Sequence, residues 1–241
     1  MQIRLFTIPN ILTLCNLLCG AFAAVSALLQ NDLVSAFWFI VLGAVFDFLD
    51  GFSARLLKMP SPIGIQLDSL ADVLTFGFAP SAILFRMYLG AESLWSTDVY
   101  VGLGVFILVA FAALRLAKFN VDDTQTTEFC GLPTPAGGLF CASLGMLWQM
   151  GRLPLTGEAV VAIAFVVALL LIAPIRMFSL KFHGFGWRGN ELRYIFLATS
   201  AVLIIFLRAY SIPTIIVLYI VVSTIRWVCA WAKCPEKTRE A

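Results

Sequence analysis

Residues 46–72 read FDFLDGFSARLLKMPSPIGIQLDSLAD, and four aspartates, Asp47, Asp50, Asp68 and Asp72, stand in that segment. Asp47 and Asp50 are three residues apart, so on a helix they share a face, and Asp68 and Asp72, four apart, share another. Gly51 and Ala54 continue the first face with almost no side chain, which lets a helix or a ligand approach the backbone closely. Arg55 follows one turn after Gly51. Between the two faces, Pro60, Pro62 and Gly64 mark a turn. The spacing predicts two antiparallel helices that face each other with two carboxylates each.

The rest of the 241-residue chain explains why such a pair is unusual. It is 61% hydrophobic and 12% charged, with a mean hydropathy of +0.96, whereas a soluble domain is about 45–50% apolar and about 25% charged. Apolar stretches recur at about the 20 residues a bilayer-crossing helix needs. The pattern predicts an all-α polytopic transmembrane bundle of about eight spans: 8–29, 33–56, 64–89, 98–119, 135–151, 158–180, 193–209 and 211–232. The fifth and seventh are short, and six spans is the alternative count. No internal repeat or soluble domain is visible, so residues 1–241 are expected to form one integral membrane domain.

With the N-terminus inside, Arg4, Arg55, Lys58, Arg115, Lys118, Arg176, Lys181, Arg188, Arg193, Lys233, Lys237 and Arg239 fall at the inner face. Only Arg86, Arg152 and Arg208 fall outside, beside Asp32, Glu92, Asp98 and Glu158. That asymmetry predicts both termini in the cytoplasm and places the aspartates at the cytoplasmic interface. The net charge of +2 gives no ground for nucleic-acid binding. Six scattered cysteines without CxxC spacing read as packed small hydrophobes rather than as a zinc or redox site.

A charge at the centre of a membrane helix costs about 2.5–3.5 kcal/mol on insertion scales, so four acids call for compensation. The bland alternative, solvated acids at a wet membrane edge, leaves their regular spacing unexplained. Carboxylate oxygens are hard ligands that suit two Mg2+ or Mn2+ ions. Zinc would want His or Cys, and the sole histidine, His183, lies far off in the sequence. Paired divalent ions suit chemistry at phosphate, and Arg55 suits a phosphate oxygen.

The segment fits D-x2-D-G-x2-A-R-x8-G-x3-D-x3-D without a gap, at Asp47, Asp50, Gly51, Ala54, Arg55, Gly64, Asp68 and Asp72. It resembles the signature of the CDP-alcohol phosphotransferases. LDSLADVLTFGFAPS, LRLAKFNV, GLPTPAGG and the early IPNILT resemble their integral-membrane phosphatidylserine synthase branch, over roughly 8–140. That region would be the catalytic core, with additional spans at about 158–232. The resemblance implies transfer of a phosphatidyl group from CDP-diacylglycerol to the hydroxyl of L-serine, releasing CMP. It implies that Asp47 and Asp68 bridge two metals, that Asp50 binds one, and that Asp72 binds the other and acts as general base. It further implies CDP-diacylglycerol contacts from Asn10, Ile11, Leu12, Thr13, Gly51, Arg55 and Ser61, and a homodimer.

This chain departs from that branch at Lys118, where Arg is usual, and at AGG 136–138, where three alanines are frequent. The stretch LRLAKFNVDDTQTTEF offers Arg115 and Lys118 for a carboxylate, Asn120 as a neutral partner, and Asp122, Asp123 and Glu128 for an ammonium. A mixed-sign set suits zwitterionic serine better than glycerol 3-phosphate or inositol phosphate, the acceptors of sister enzymes. Arg115 and Lys118 read equally as a positive-inside anchor. A cation transporter or channel is the competing class, but acids clustered at one interface around a turn argue for an active site.

Overall fold

The structure is a computed structural model that describes residues 5–58, 61–93, 98–121, 129–178, 186 and 190–232. Eight helices follow one another among these residues. They are α1 Ile8–Leu28, α2 Leu33–Leu56, α3 Pro62–Gly90, α4 Val99–Val121, α5 Thr134–Gln149, α6 Gly157–Ile172, α7 Glu191–Leu207 and α8 Ser211–Ala232. In hydrocarbon each backbone N–H and C=O must be satisfied within its own segment, which helices achieve. The helices α1 to α4 and the joined α7–α8 run are long and apolar enough to cross a membrane, and α6 is a shorter apolar helix. The chain is a polytopic helical bundle, as its composition predicts.

Side chains set where the helices begin. Thr7, Ser61 and Thr156 each accept a backbone N–H from three residues ahead, satisfying one of the donors that a helix start leaves open. Ser61 thereby starts α3. Gly64, expected in the preceding turn, instead lies inside the first turn of α3.

Polar contacts tie the helices together at one end. Gln149, the last residue of α5, accepts from the N–H groups of Leu33 (2.5 Å) and Val34 (3.0 Å) and donates to the Asn31 carbonyl at 2.8 Å. It caps α2 from another helix. Nearby in sequence order, Ser93 donates to Glu158 (2.6 Å), the Gly157 N–H to the Glu92 carbonyl (3.0 Å), and Tyr210 to the Arg152 carbonyl (2.9 Å). The helices therefore alternate in direction, and the opposite end gathers the N-termini of α1, α3 and α5 with the C-termini of α2 and α4.

The sixth span, expected over 158–180, ends at Ile172. Pro174 disfavours the helical conformation at the residue before it, and Ala173 has ψ 143°. The chain then runs extended as β2, Arg176–Met177, antiparallel to β1, Phe129–Cys130. This short pair links the entry to α5 with the exit from α6. His183, Asp122, Asp123 and Glu128 lie outside the described residues.

Immediately after Asp72, α3 widens into a π-helical turn at Val73–Phe78. Such turns sit frequently at functional sites. This one is buried between α1 and α5 by close backbone approach. A Cβ on Gly20 would stand 2.7 Å from the Thr75 Cα, and one on Gly138 would stand 2.8 Å from the Phe76 carbonyl oxygen. Without a hydrophobic drive between helices in lipid, such small-residue contacts let helices pack.

The AGG departure is thereby half explained. Gly137 would meet only side chains, at 3.3 Å or more, but Gly138 meets backbone that cannot give. Gly138→Ala is expected to destabilise the protein by about 1–3 kcal/mol through overpacking. Gly137→Ala should be neutral or slightly stabilising, because alanine favours helix over glycine by about 1 kcal/mol. Thermal unfolding of both variants in detergent checks this; equal melting temperatures would show that the π turn tolerates a methyl group.

Candidate metal and substrate site

The end of α2 and the start of α3 converge, as the paired spacing predicts. One carboxylate oxygen from each of Asp47, Asp50 and Asp68 lies within 4.8 Å of the others. Asp50 is buried, and Asp47 and Asp68 are half-buried. Thr13, on α1, donates to Asp50 Oδ2 at 2.6 Å. Asp68 Oδ1 is buried and has no hydrogen-bond partner. An unpartnered buried oxygen is costly, and three acids at this range repel. Both penalties are relieved by a hard divalent cation, whose oxygen-ligand preference this set meets. The residues present therefore fit a metal centre.

Asp72 lies one helical turn beyond Asp68 and meets the side chain of Asp47. It is 7% exposed, and its Oδ1 accepts from Asn16 Nδ2 of α1 at 3.3 Å. Asp72 also faces the end of α4, in the company of Arg115 and Asn120.

Two cavities meet at Asp68. The first, about 170 Å³, is lined by Asn10, Thr13, Asp50, Gly51, Ser61 and Asp68, among others. A Cβ on Gly51 would meet nothing within 4 Å, so this wall is open to a ligand. Asn10 is held by a 2.8 Å bond from its amide to the Leu5 carbonyl. Ile11 and Leu12 do not line the cavity, and Ile11 is 47% exposed. Arg55 is exposed one turn beyond Gly51.

The second cavity is larger, about 510 Å³, and its lining includes Asp68, Ser69, Asp72, Arg115 and Asn120. Asn120 donates to the Ser69 hydroxyl at 2.8 Å, fastening the end of α4 to α3. Arg115 Nη1 donates to Thr134 Oγ1 at 2.8 Å, while its Nε is buried without a partner. Lys118 is exposed and lines a separate space of about 240 Å³, together with Arg115 and Cys130. The sequence reading thus grouped Arg115, Lys118 and Asn120, but the structure turns only Arg115 and Asn120 toward the aspartates.

Sequence reasoning missed Asn16, Thr75 and Thr134. Each is fully buried at 0% exposure. The available signal was weak but real: Asn16 is an amide inside an apolar span, where polar groups are expensive, one helical turn after Thr13.

Against known proteins, the chain is 36% identical over 143 residues to the CDP-diacylglycerol–serine O-phosphatidyltransferase of Bacillus subtilis (strain 168), covering 59% of this chain and 77% of that protein. It is 29% identical over 234 residues to the protein of the same name from Helicobacter pylori (strain ATCC 700392 / 26695), covering 95% of this chain and 94% of that protein. It is 40% identical over 129 residues to the Saccharomyces cerevisiae (strain ATCC 204508 / S288c) protein of that name, 47% of this chain and 44% of that protein. The family profile for CDP-alcohol phosphatidyltransferase matches residues 6–175, which takes in the aspartate cluster, both cavities and Arg115. The motif, the carboxylate cluster and this match agree: the chain belongs to the CDP-alcohol phosphatidyltransferase family.

Proposed function

We propose that this protein transfers the phosphatidyl group of CDP-diacylglycerol to the hydroxyl of L-serine, yielding phosphatidylserine and CMP. The observation that carries the reading is that Asp68 lines both cavities, so a donor in one and an acceptor in the other would meet at the same carboxylate. The names of the relatives support the serine acceptor.

In this reading the smaller cavity takes the nucleotide end of the donor. Gly51 lets the pyrophosphate approach the α2 backbone, Asn10, Thr13 and Ser61 offer polar atoms around it, and exposed Arg55 reaches a phosphate oxygen. Ile11 and Leu12 support this wall from the rest of α1. Asp47, Asp50, Asp68 and Asp72 would hold two Mg2+ or Mn2+ ions, which when bound neutralise charge on the phosphates and on the leaving CMP. The larger cavity takes serine. Arg115 pairs with its carboxylate, Asn120 offers an amide, and Lys118 adds positive charge from the rim. Asp72 accepts the proton of the serine hydroxyl, whose oxygen forms a bond to the phosphatidyl phosphorus as the bond from phosphorus to the CMP oxygen breaks. The acyl chains stay in lipid throughout.

The same reading has one integral membrane domain, a catalytic core at about 8–140 with further spans at about 158–232, a homodimer, and an active site facing the cytoplasm. Charge asymmetry of the loops supports the orientation. A reporter fused after Ala241 should read cytoplasmic and one inserted near Ser96 external; the reverse pattern would deny the site its cytosolic substrate.

The functional test is to incubate purified protein with CDP-diacylglycerol, Mg2+ or Mn2+ and each acceptor in turn, and to identify lipid and nucleotide products. Phosphatidylserine with stoichiometric CMP is expected. Phosphatidylglycerophosphate alone would reassign the acceptor, and no CMP with any acceptor would favour the transporter class.

A further inference from the structure

The geometry points to Asn16 as a positioning residue that fixes the Asp72 carboxylate, with Thr75 anchoring Asn16 from the π turn; we propose this as a built-in aiming device for the proton-accepting group. It rests on the proposed role of Asp72.

Asn16 lies on α1, one turn beyond Thr13, and both side chains point at the acidic cluster. Thr13 bonds Asp50 of α2 and Asn16 bonds Asp72 of α3. A single helix face thus touches one carboxylate from each of the two motif helices, so α1 sets how far apart they stand. Asn16 is itself tethered. Its backbone carbonyl accepts from Thr75 Oγ1 at 2.9 Å. Thr75 lies three residues beyond Asp72, inside the π turn, and is fully buried. A Cβ on Gly20 would collide with Thr75, so α1 and α3 are already in backbone contact there.

Asp72 and Thr75 belong to one helix, and both engage Asn16, the first through its side chain and the second through its main chain. That closes a loop of contacts around the Asp72 backbone. By occupying Oδ1, Asn16 leaves Oδ2 for the acceptor and the metal centre. A carboxylate free to rotate would spend less time in the productive geometry, and supporting groups of this kind typically carry about 10–100-fold in activity or metal affinity. Asn16 Oδ1 is buried without a hydrogen-bond partner. Such a group is costly, so packing alone would favour leucine at this position.

That contrast supplies the test. Asn16→Leu keeps the volume and deletes the donor. For the full-length protein in detergent, kcat is expected to fall about 10–100-fold. KM for CDP-diacylglycerol should stay within about threefold, and the affinity for Mn2+, read by electron paramagnetic resonance without substrate, should fall by much less than kcat, because Asn16 touches only one of the four acids that would hold the ions. The melting temperature should change by only a few degrees, because removal of the unpartnered Asn16 Oδ1 offsets the loss of the donor to Asp72 Oδ1. Asn16→Ser, which removes the amide with less demand on packing, should show the same split, and Thr75→Val a weaker version of it.

A kcat within about twofold of wild type in folded Asn16→Leu or Asn16→Ser would overturn the inference, since a tenfold loss is only about 1.4 kcal/mol and well resolved. Loss of Mn2+ affinity in step with kcat would also overturn it, by making Asn16 a support of the metal centre. Asp72→Asn separates this from the underlying reading. If it is inactive while the Asn16 variants are normal, only the positioning role fails; if it keeps wild-type kcat, the role of Asp72 and the inference fall together.

Discussion

Asp68→Asn is expected to remove transfer almost entirely while leaving a folded, membrane-inserted protein. Asp68 is the carboxylate shared by the three-acid cluster and both cavities. Losing a metal-holding charge there should forfeit about 3–5 kcal/mol of transition-state stabilisation, or roughly 10²–10⁴-fold in rate. Stability of the metal-free protein should move the other way. Asparagine keeps the shape of aspartate, gives the unpartnered Oδ1 site a possible donor, and relieves repulsion between acids within 4.8 Å of one another. Two unit charges at that range repel by on the order of a few kcal/mol at an effective dielectric of about 20. Wild-type protein should gain thermal stability when Mg2+ or Mn2+ is added, by mass action on the folded state, and Asp68→Asn should gain much less. The check is one set of melting curves with and without metal, beside CMP release at saturating metal. Near-wild-type activity of folded Asp68→Asn at limiting metal would end the two-metal reading.

The reversal of sign between activity and metal-free stability is the mark of a site whose parts conflict until a ligand arrives. Most of the fold was legible because most of it obeys one rule, that lipid-facing backbone must be helical. The aspartate faces were legible for a similar reason. Spacings of three and four residues fix a face whatever the helix packs against, and Asp47, Asp50 and Asp68 do converge. What the spacing could not show is that the helix changes form just after Asp72. The π turn begins at the next residue, and the close approach of Gly20 and Gly138 to its backbone is a tertiary contact. Asn16 and Thr75 were hidden for the same reason: their partners lie more than fifty residues away in sequence. The end of α6 was a different kind of miss. The span expected over 158–180 runs past Pro174, whereas the helix stops at Ile172. Lys118 shares the smaller space with Arg115 but does not line the cavity beside the aspartates, whereas Arg115 lines both.

That last distinction yields the second large effect. Arg115→Ala is expected to raise KM for serine by about 10–150-fold, the equivalent of losing a charge-assisted hydrogen bond of about 1.5–3 kcal/mol, while KM for CDP-diacylglycerol changes by less than about threefold. The reason lies in where the guanidinium is held. Thr134, on the first turn of α5, takes Nη1 at 2.8 Å and fixes the plane of the group. Arg115 lines the cavity that also holds Asp72, and the bond to Thr134 uses only one of the five guanidinium N–H groups, so donors remain for a carboxylate there. Arg115→Lys should recover only part of the loss, because an ammonium on a flexible stem cannot hold Thr134 and a carboxylate in one plane. Lys118→Ala should change KM for serine by less than about threefold, since an exposed charge at the rim contributes at most about 1 kcal/mol. Initial rates with serine and CDP-diacylglycerol varied in turn, on all three variants, give the comparison. Thr134→Val supplies a control from the other helix. It leaves the charge in place but frees its orientation, and should land between Arg115→Lys and wild type. A parallel rise in both KM values for Arg115→Ala would mean that Arg115 braces α4 against α5 and serine is gripped elsewhere. An effect of Lys118→Ala as large as that of Arg115→Ala would mean that the acceptor enters through the smaller space behind Arg115.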